Sequence, residues 1–304
     1  MMRYRLFIIL ACALFLTSGQ VQAQKKGKAK KPAPALPTFP SRDEVFGKEV
    51  KFRPLGAFDR HQLEYNYTML PAPDFTGHQL KRNTSRPQVV LKPVSSEPDE
   101  SYSDEYWAEK YDIALVESRV EDTPLYEFGF RLCYTANGYH VYTLGTTYGD
   151  TSKMVITDEN DTQVLAAYDF ENFRFSPKTT LMGNDQKIQF AIIEGNILFV
   201  AHGCNTYSDG TGYQTGYISA IDLNTDEIIW TTRPMTCNSE FAISGNSIIC
   251  GYGFSHEPDY LYIVDKYSGQ RVKRTSLRTA AENIAVKGKK VYVHCYNYNY
   301  VFSF

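Results

Sequence analysis

The sequence contains a repeated hairpin, and this repeat restricts the fold more than any other feature. Three segments align on a glycine, namely residues 190–200, 241–250 and 284–293. In each, an apolar strand leads into a turn at Gly195, Gly245 or Gly288, and a second apolar strand follows. Glycine supplies the positive φ that a short hairpin requires. The glycines are 50 and 43 residues apart, which is close to the length of a β-propeller blade.

A second repeated element lies between these hairpins. Residues 217–230 and 260–273 each contain an alternating strand that ends in an aspartate, a polar turn, and another strand. Because aspartate side chains often accept hydrogen bonds from the backbone of a following turn, we expect Asp222 and Asp265 to stabilise these turns and not to take part in catalysis.

The second element resembles a known family pattern. Tyr-x-x-Ala-x-Asp-x-x-Thr-x-x-x-x-Trp at 217–230 is similar to the blade signature of the pyrroloquinoline-quinone-like β-propeller repeat. The family pattern has Thr-Gly where this chain has Thr225-Asp226, and the second copy has Ser268-Gly269 but lacks the tryptophan. The likeness is clear over residues 188–304 and weaker over 131–180. It implies an all-β fold, a β-propeller of four-stranded blades.

The resemblance implies a fold more strongly than an activity. The family includes quinoprotein dehydrogenases, scaffold lipoproteins of outer-membrane assembly, and modules that bind sugars or proteins. Quinoprotein dehydrogenases carry a disulfide between adjacent cysteines and calcium-binding carboxylates. No two cysteines are adjacent here, so we predict a non-catalytic member without a cofactor.

The propeller-like domain is predicted to span residues 42–304. At about 45 residues per blade, it would hold about five to six blades. The last repeat has three strands before Phe304, and an incomplete blade would expose unpaired backbone groups. We therefore expect an N-terminal strand to close it, either Glu49–Arg53 or Gln88–Lys92. The proline-rich, acidic stretch 71–105 fits no blade, and we predict that it is an insertion or lid.

The N-terminal residues predict export. Arg3 and Arg5 precede an apolar run at 6–16, and Val21-Gln22-Ala23 offers a cleavage site, so residues 1–23 are predicted to be a signal peptide. The run is too short to span a membrane comfortably. Lipidation of Cys12 is the weaker alternative, because this cysteine lies inside the apolar run. Residues 24–41, rich in lysine and proline, are predicted to be a disordered linker. The mature protein is then periplasmic or extracellular.

Composition narrows the choice of ligand. A net charge of −2 argues against nucleic-acid binding, which needs a basic surface. The chain has 23 tyrosines, and tyrosine suits both strands and binding surfaces. Three loops at 203–216, 253–259 and 295–299 are predicted to lie on one side of the blades, and we call this side the loop face. Its predicted ligand-binding residues are Tyr207, Asp209, Tyr213, His256, Glu257, Asp259, Tyr296 and Asn297.

Cysteines and histidines near this face allow two further interpretations. Export would leave an odd number of cysteines, five, in the mature chain, and we predict a disulfide between Cys204 and Cys237 that braces the loops. His202 and His294, near Cys204 and Cys295, lack the usual spacing of a zinc site. We therefore predict core or rim histidines and assign no metal site. No sequence motif predicts a nucleophile either.

These observations leave three hypotheses for the function. The first is a non-enzymatic binding or scaffold protein that recognises a polysaccharide or an envelope protein through the loop face. The second is a carbohydrate-active hydrolase or lyase that uses loop carboxylates such as Glu257 and Asp259. The third is a structural subunit of an envelope assembly. The sequence does not indicate the oligomeric state.

Overall fold

A computed structural model describes residues 53–54, 68–71, 89–115, 130–136, 139–144, 152–161, 163–173, 186–204 and 206–304. The predicted signal peptide and linker lie outside these residues. Within the described ranges the fold is all-β apart from short 3₁₀ turns and one α-helix, α1 (Asp104–Tyr111). No helix in this part of the chain is both long enough and apolar enough to cross a membrane.

The described strands form four sheets, and each of the first three contains a four-stranded antiparallel meander of consecutive strands. The first sheet contains β4 (Phe130–Ala136), β5 (Tyr139–Leu144), β6 (Lys153–Asp158) and β7 (Gln163–Asp169). The second contains β8 (Lys187–Glu194), β9 (Ile197–Gly203), β10 (Tyr217–Asp222) and β11 (Glu227–Thr231). The third contains β12 (Phe241–Ser244), β13 (Ser247–Tyr252), β14 (Tyr260–Asp265) and β15 (Arg271–Ser276).

The fourth sheet combines the C-terminal strands with an N-terminal one. It contains β16 (Ala281–Lys287), β17 (Lys290–Cys295), β18 (Tyr298–Ser303) and β3 (Lys92–Pro98), which pairs antiparallel with β18. An N-terminal strand therefore completes the last sheet, as predicted. The strand starts at the end of the predicted segment Gln88–Lys92, and it shows that residues 92–98 of the predicted insertion 71–105 belong to the sheet.

The other predicted closing segment pairs elsewhere. Glu49–Arg53 overlaps the described residues only at Arg53, which belongs to β1 (Arg53–Pro54). This strand pairs antiparallel with β7 in the first sheet, and β2 (Thr68–Met69) pairs with β7 in parallel.

The repeated hairpins form as predicted. They correspond to the pairs β8–β9, β12–β13 and β16–β17. Gly195, Gly245 and Gly288 have φ values of 61°, 59° and 60°, which a residue with a Cβ atom adopts at a cost. Asp222 accepts a hydrogen bond from the amide of Asn224, and Asp265 accepts from those of Tyr267 and Ser268. The expected structural role of both aspartates is confirmed.

Each pair of consecutive sheets shares a hydrophobic core. One cluster joins the first and second sheets, a second joins the second and third, and a third joins the third and fourth. Trp230, in β11, is 4% exposed and packs in the second cluster. Since burial of a large apolar side chain contributes about 1.5–3 kcal/mol, these shared cores stabilise the side-by-side packing of the sheets.

Candidate functional site

Two of the three predicted loops contact each other directly. The loop after β9 and the loop after β13 are joined through Glu257, whose carboxylate accepts hydrogen bonds from Ser208 N at 2.6 Å and Tyr252 Oη at 3.0 Å. Tyr207 adds an edge-on ring contact to Phe254, with 4.8 Å between ring centroids. Glu257, predicted to bind a ligand, therefore holds two loops of the loop face together.

The third loop contacts an N-terminal segment that the sequence analysis did not associate with it. The carbonyl oxygen of Asn297 accepts a hydrogen bond from Asp99 N at 2.9 Å. The rings of Tyr102 and Tyr296 lie 5.3 Å apart at an interplanar angle of 56°. Both side chains are more than half exposed. The chain between β3 and α1 therefore enlarges the loop face.

The remaining predicted residues have different environments. Tyr207 is 41% exposed and Tyr213 is 58% exposed. Asp209 is exposed, and its carboxylate accepts from the adjacent Gly210 N at 2.7 Å. His256 is also exposed, with a φ of 71° and its ring 6.4 Å from that of Tyr207. The aromatic residues of this set are therefore available to a partner, whereas Asp209 caps its own turn.

Asp259 is a partly buried carboxylate beside these loops. Burial, followed by the negative charge of Glu257, raises its pKa to about 6. Its Oδ1 atom is buried and has no hydrogen-bond partner among the described residues. Glu257 and Asp259 therefore do form an electrostatically coupled pair, but Glu257 is already engaged by two donors.

The predicted disulfide between Cys204 and Cys237 is not formed. Cys204 lies beside Gln186, whose Nε2 donates to its sulfur at 3.4 Å. Cys237 lies in the core between the second and third sheets, together with Cys250. All four cysteines with described side chains are buried thiols, and burial raises the pKa of Cys250 and Cys295. Cys204 is not a member of the cluster that contains Cys237, and both Cys204 and Cys237 are free thiols.

His202 is a buried histidine, as predicted. Its Nδ1 atom is 3.0 Å from Gln186 Oε1, and its Nε2 atom is 2.8 Å from Ser219 Oγ. Phe170, Phe173 and Tyr217 surround the ring, at centroid distances of 4.7, 4.5 and 5.5 Å. Burial lowers its pKa to about 3, so the imidazole is neutral at physiological pH and serves the core.

His294 has a different environment, in which acidic side chains surround the ring. Its Nε2 atom lies 3.2 Å from Asp104 Oδ1 and 3.9 Å from Glu282 Oε2. His294, Asp104 and Glu282 each offer one possible metal-ligand atom, and these three atoms lie within 4.8 Å of one another. We call Asp104, Glu282 and His294 the His294 cluster. His294 is 1% exposed, whereas the side chains of Asp104 and Glu282 are 49% and 45% exposed.

A chain of hydrogen bonds reaches His294 from its other side. Asn299 Nδ2 donates to Asp99 Oδ2 at 2.6 Å, and Asn299 Oδ1 lies 2.8 Å from His294 Nδ1. Burial alone would raise the pKa of Asp99, but hydrogen bonds from Ser101 and Asn299 outweigh it, and the pKa is lowered. Asp99 is therefore a buried carboxylate that orients Asn299.

A pocket of about 300 Å³ lies next to this cluster. It is lined by the first strands of the second, third and fourth sheets and by residues 107 and 113–115. Most lining side chains are apolar, but Glu240 and Asn283 add polar groups. Burial, and then the negative charge of Asp104, raises the pKa of Glu240 to about 7. Trp107 Nε1 is buried without a partner in the described part of the chain.

The acidic and polar residues around His294 are not among the predicted site residues, although the sequence contains a signal for them. Gln189, Glu240 and Asn283 each directly precede the apolar start of a repeated hairpin. A polar residue repeated at this position is unusual for a core, and two of the three, Glu240 and Asn283, line the pocket. The sequence predicts no metal site at His294, because His294-Cys295 lacks the usual spacing of zinc ligands.

Comparison with known proteins identifies similar folds at low identity. No protein-family model matches the sequence, and no curated protein is detectably similar to it. BamB from Moraxella catarrhalis is 12% identical with a TM-score of 0.32, over 71% of this chain and 100% of BamB. Saccharomyces cerevisiae Sqt1 is 10% identical with a TM-score of 0.39, over 55% of this chain and 42% of Sqt1.

A third structure is a europium-containing methanol dehydrogenase, 12% identical with a TM-score of 0.33, over 61% of this chain and 27% of the enzyme. BamB and the methanol dehydrogenase have β-propeller folds. At these identities and TM-scores, the three structures assign no role to any residue of this chain.

Proposed function

We propose that this protein is an exported β-propeller of five to six blades that binds a polysaccharide through its loop face without catalysing a reaction. Four-stranded meanders with shared cores, and a last sheet completed by an N-terminal strand, support the propeller architecture. Loops on such a rigid scaffold commonly carry binding residues.

The observation that carries the binding proposal is a group of exposed tyrosines on one face. Tyr102, Tyr213 and Tyr296 are 57%, 58% and 59% exposed, and Tyr207 is 41% exposed. A tyrosine offers an apolar ring with a polar tip and few rotatable bonds, so it loses little conformational entropy on binding. A sugar ring presents C–H groups on its face and hydroxyl groups at its edge. Tyrosines surrounded by amide and carboxylate groups match both features.

The braced loops support the same proposal. Glu257 connects the loops after β9 and β13, and Tyr102 packs against Tyr296. A pre-organised surface binds more tightly because less ordering is required when the partner arrives. The tyrosine pair and the braced loops therefore form a surface that is already shaped for a ligand.

The test is a glycan array followed by affinity measurement with purified protein. We expect one or a few glycans to bind, and the double variant Tyr102→Ala/Tyr296→Ala to lose at least tenfold in affinity, since each aromatic contact contributes on the order of 1 kcal/mol or more. Val272→Ala is the matched control, because Val272 is 48% exposed on β15 and lies near the opposite end of its sheet. Its affinity should equal that of the wild type.

Two other outcomes would change the proposal. If no glycan binds but an envelope protein does so in a tyrosine-dependent manner, the ligand is a protein and not a polysaccharide. If the double variant binds a glycan as well as the wild type, the loop face is not the binding surface. Thermal melts of all variants should match, which separates loss of binding from loss of folding.

One observation favours a second function, that of a carbohydrate-active hydrolase. The pKa of Glu240 is raised to about 7 beside the carboxylate of Asp104, and Glu240 lines the pocket. Glycosidases use a pair of carboxyl groups in which one stays protonated near neutral pH. Release of reducing ends from a bound glycan, abolished by Glu240→Gln, would establish this activity. Binding of a glycan without its hydrolysis would contradict the hydrolase function and support the non-catalytic one.

A further inference from the structure

The orientation of the His294 ring can be deduced from its neighbours. The Asp99 carboxylate accepts from Ser101 N and from Ser101 Oγ, and it also accepts from Asn299 Nδ2. The amide nitrogen of Asn299 therefore faces Asp99, and its oxygen Oδ1 faces His294 Nδ1 at 2.8 Å. Since Oδ1 can only accept, Nδ1 carries the hydrogen. In the neutral ring, Nε2 is then an acceptor with an available lone pair.

This acceptor faces two further acceptors. Asp104 Oδ1 and Glu282 Oε2 are the carboxylate oxygens near Nε2, at 3.2 and 3.9 Å. Three acceptor atoms within 4.8 Å of one another repel each other unless a proton or a cation lies between them. The side chain of His294 is 1% exposed, so water has little access to the imidazole ring.

The geometry and the donor types fit a metal ion. Two donors that bind one tetrahedral ion at about 2.1 Å lie about 3.4 Å apart. The distance from Nε2 to Asp104 Oδ1, 3.2 Å, is close to this value, and the distance to Glu282 Oε2, 3.9 Å, is longer. Imidazole nitrogen with carboxylate oxygens suits Zn²⁺ and related transition metals better than Ca²⁺, which prefers oxygen ligands alone. An Asp–Asn–His chain that fixes the ring is the kind of support that metal-binding histidines commonly have.

Contacts from other elements hold the Asp104 carboxylate and cover the histidine. Asn283 Nδ2 donates to Asp104 Oδ1 at 2.7 Å, so Asp104 is directed to the fourth sheet. Trp107 covers the imidazole, with 5.5 Å between the ring centroids. The exposed fractions of Asp104 and Glu282 leave room for a water molecule as a further ligand, as in zinc sites with three protein ligands.

We propose that Asp104, Glu282 and His294 bind one divalent transition-metal ion, with Zn²⁺ as the expected ion. Tyr102 precedes Asp104 by two residues and Tyr296 follows His294 by two, so the ion would lie beside the tyrosine pair of the loop face. The proposal does not depend on glycan binding, because the ligands are separate from the tyrosines.

Calorimetric titration of EDTA-treated protein with ZnCl₂ and with MnCl₂ tests the proposal. We expect one saturable Zn²⁺ site per chain and weaker binding of Mn²⁺. Asp104→Asn and Glu282→Gln should each weaken Zn²⁺ binding by at least tenfold, and Asn299→Ala by about 10- to 100-fold. Glu109→Gln is the matched control, because it removes one negative charge from the same helix, at an exposed position, and should bind Zn²⁺ as the wild type does.

Titration with CoCl₂ separates this site from adventitious binding to thiols. The expected spectrum shows tetrahedral cobalt bands without a thiolate charge-transfer band. The proposal is wrong if wild-type protein shows no saturable site, or if Asp104→Asn and Glu282→Gln bind Zn²⁺ as tightly as the control. A doubly protonated His294 at pH 7, detected by nitrogen NMR in the presence of excess Zn²⁺, would show that a proton takes the place of the ion.

Discussion

Acidification is expected to weaken the fold through His202. The ring is 0% exposed and hydrogen-bonded on both sides, and burial lowers its pKa from 6.5 to about 3. Gln186 donates to Cys204, so its oxygen Oε1 accepts from His202 Nδ1, and Nε2 then accepts from Ser219 Oγ. The folded protein thus holds a neutral ring with a defined tautomer.

The size of the effect follows from the two pKa values. Between pH 6.5 and about 3, the unfolded chain binds a proton that the folded protein excludes. The free energy of unfolding therefore falls as the pH falls, and the stability is fully present above pH 6.5. Between pH 7.5 and pH 5.5 the expected loss from this residue is about 1.4 kcal/mol.

Two ionisable neighbours of His202 are also buried. Burial raises the pKa of the neighbouring Tyr217, and Cys204 is a buried thiol. Elsewhere, Glu240 and Asp259 act in the opposite sense, because their pKa values are raised to about 7 and about 6. Their contribution is present at low pH and is lost as the pH rises, so the wild-type slope alone is not diagnostic.

Comparison with His202→Gln isolates the histidine. Urea denaturation of both proteins at pH 5.5 and 7.5 gives four free energies of unfolding. The variant should have a lower free energy of unfolding than the wild type at both pH values. The decrease in this free energy from pH 7.5 to pH 5.5 should be about 1.4 kcal/mol smaller in the variant than in the wild type. Equal pH dependence in the two proteins would refute a neutral buried His202, and so would an imidazolium signal for this residue in nitrogen NMR at pH 6.

Two stability measurements test the local geometry. Gly269→Ala places a Cβ atom 2.5 Å from the ring of Trp230 at a φ of 68°, so we expect a loss of about 2–4 kcal/mol in urea denaturation. Gly288→Ala, with a φ of 60° and open space around it, should lose only about 1 kcal/mol; equal losses would contradict the proposed clash. Glu257→Gln leaves one loop donor facing an amide group and should cost about 1–2 kcal/mol, while an unchanged melting temperature would show that the loops are not braced there.

The repeat pattern in the sequence was sufficient for the strand assignments. The hairpins at 190–200, 241–250 and 284–293 depend on alternating apolar residues and on a glycine turn, and both features are local. The same is true of the turns that Asp222 and Asp265 stabilise. The need for an N-terminal closing strand could also be inferred, because the last sheet lacked one strand. Its position at Lys92–Pro98 could not be inferred, since the residues of this strand are mostly exposed and carry no apolar alternation.

The sequence by itself therefore determined the repeated hairpins, their turns and the loops that carry Tyr207, Tyr213 and Tyr296. Only the tertiary structure decided which side chains meet across distant segments. Asp104 reaches His294 because β3 joins the last sheet and α1 follows it directly, a contact between residues 190 positions apart. Cys204 and Cys237 are both buried as free thiols. Such contacts depend on how the sheets pack, and local sequence patterns contain no information about distance between sheets.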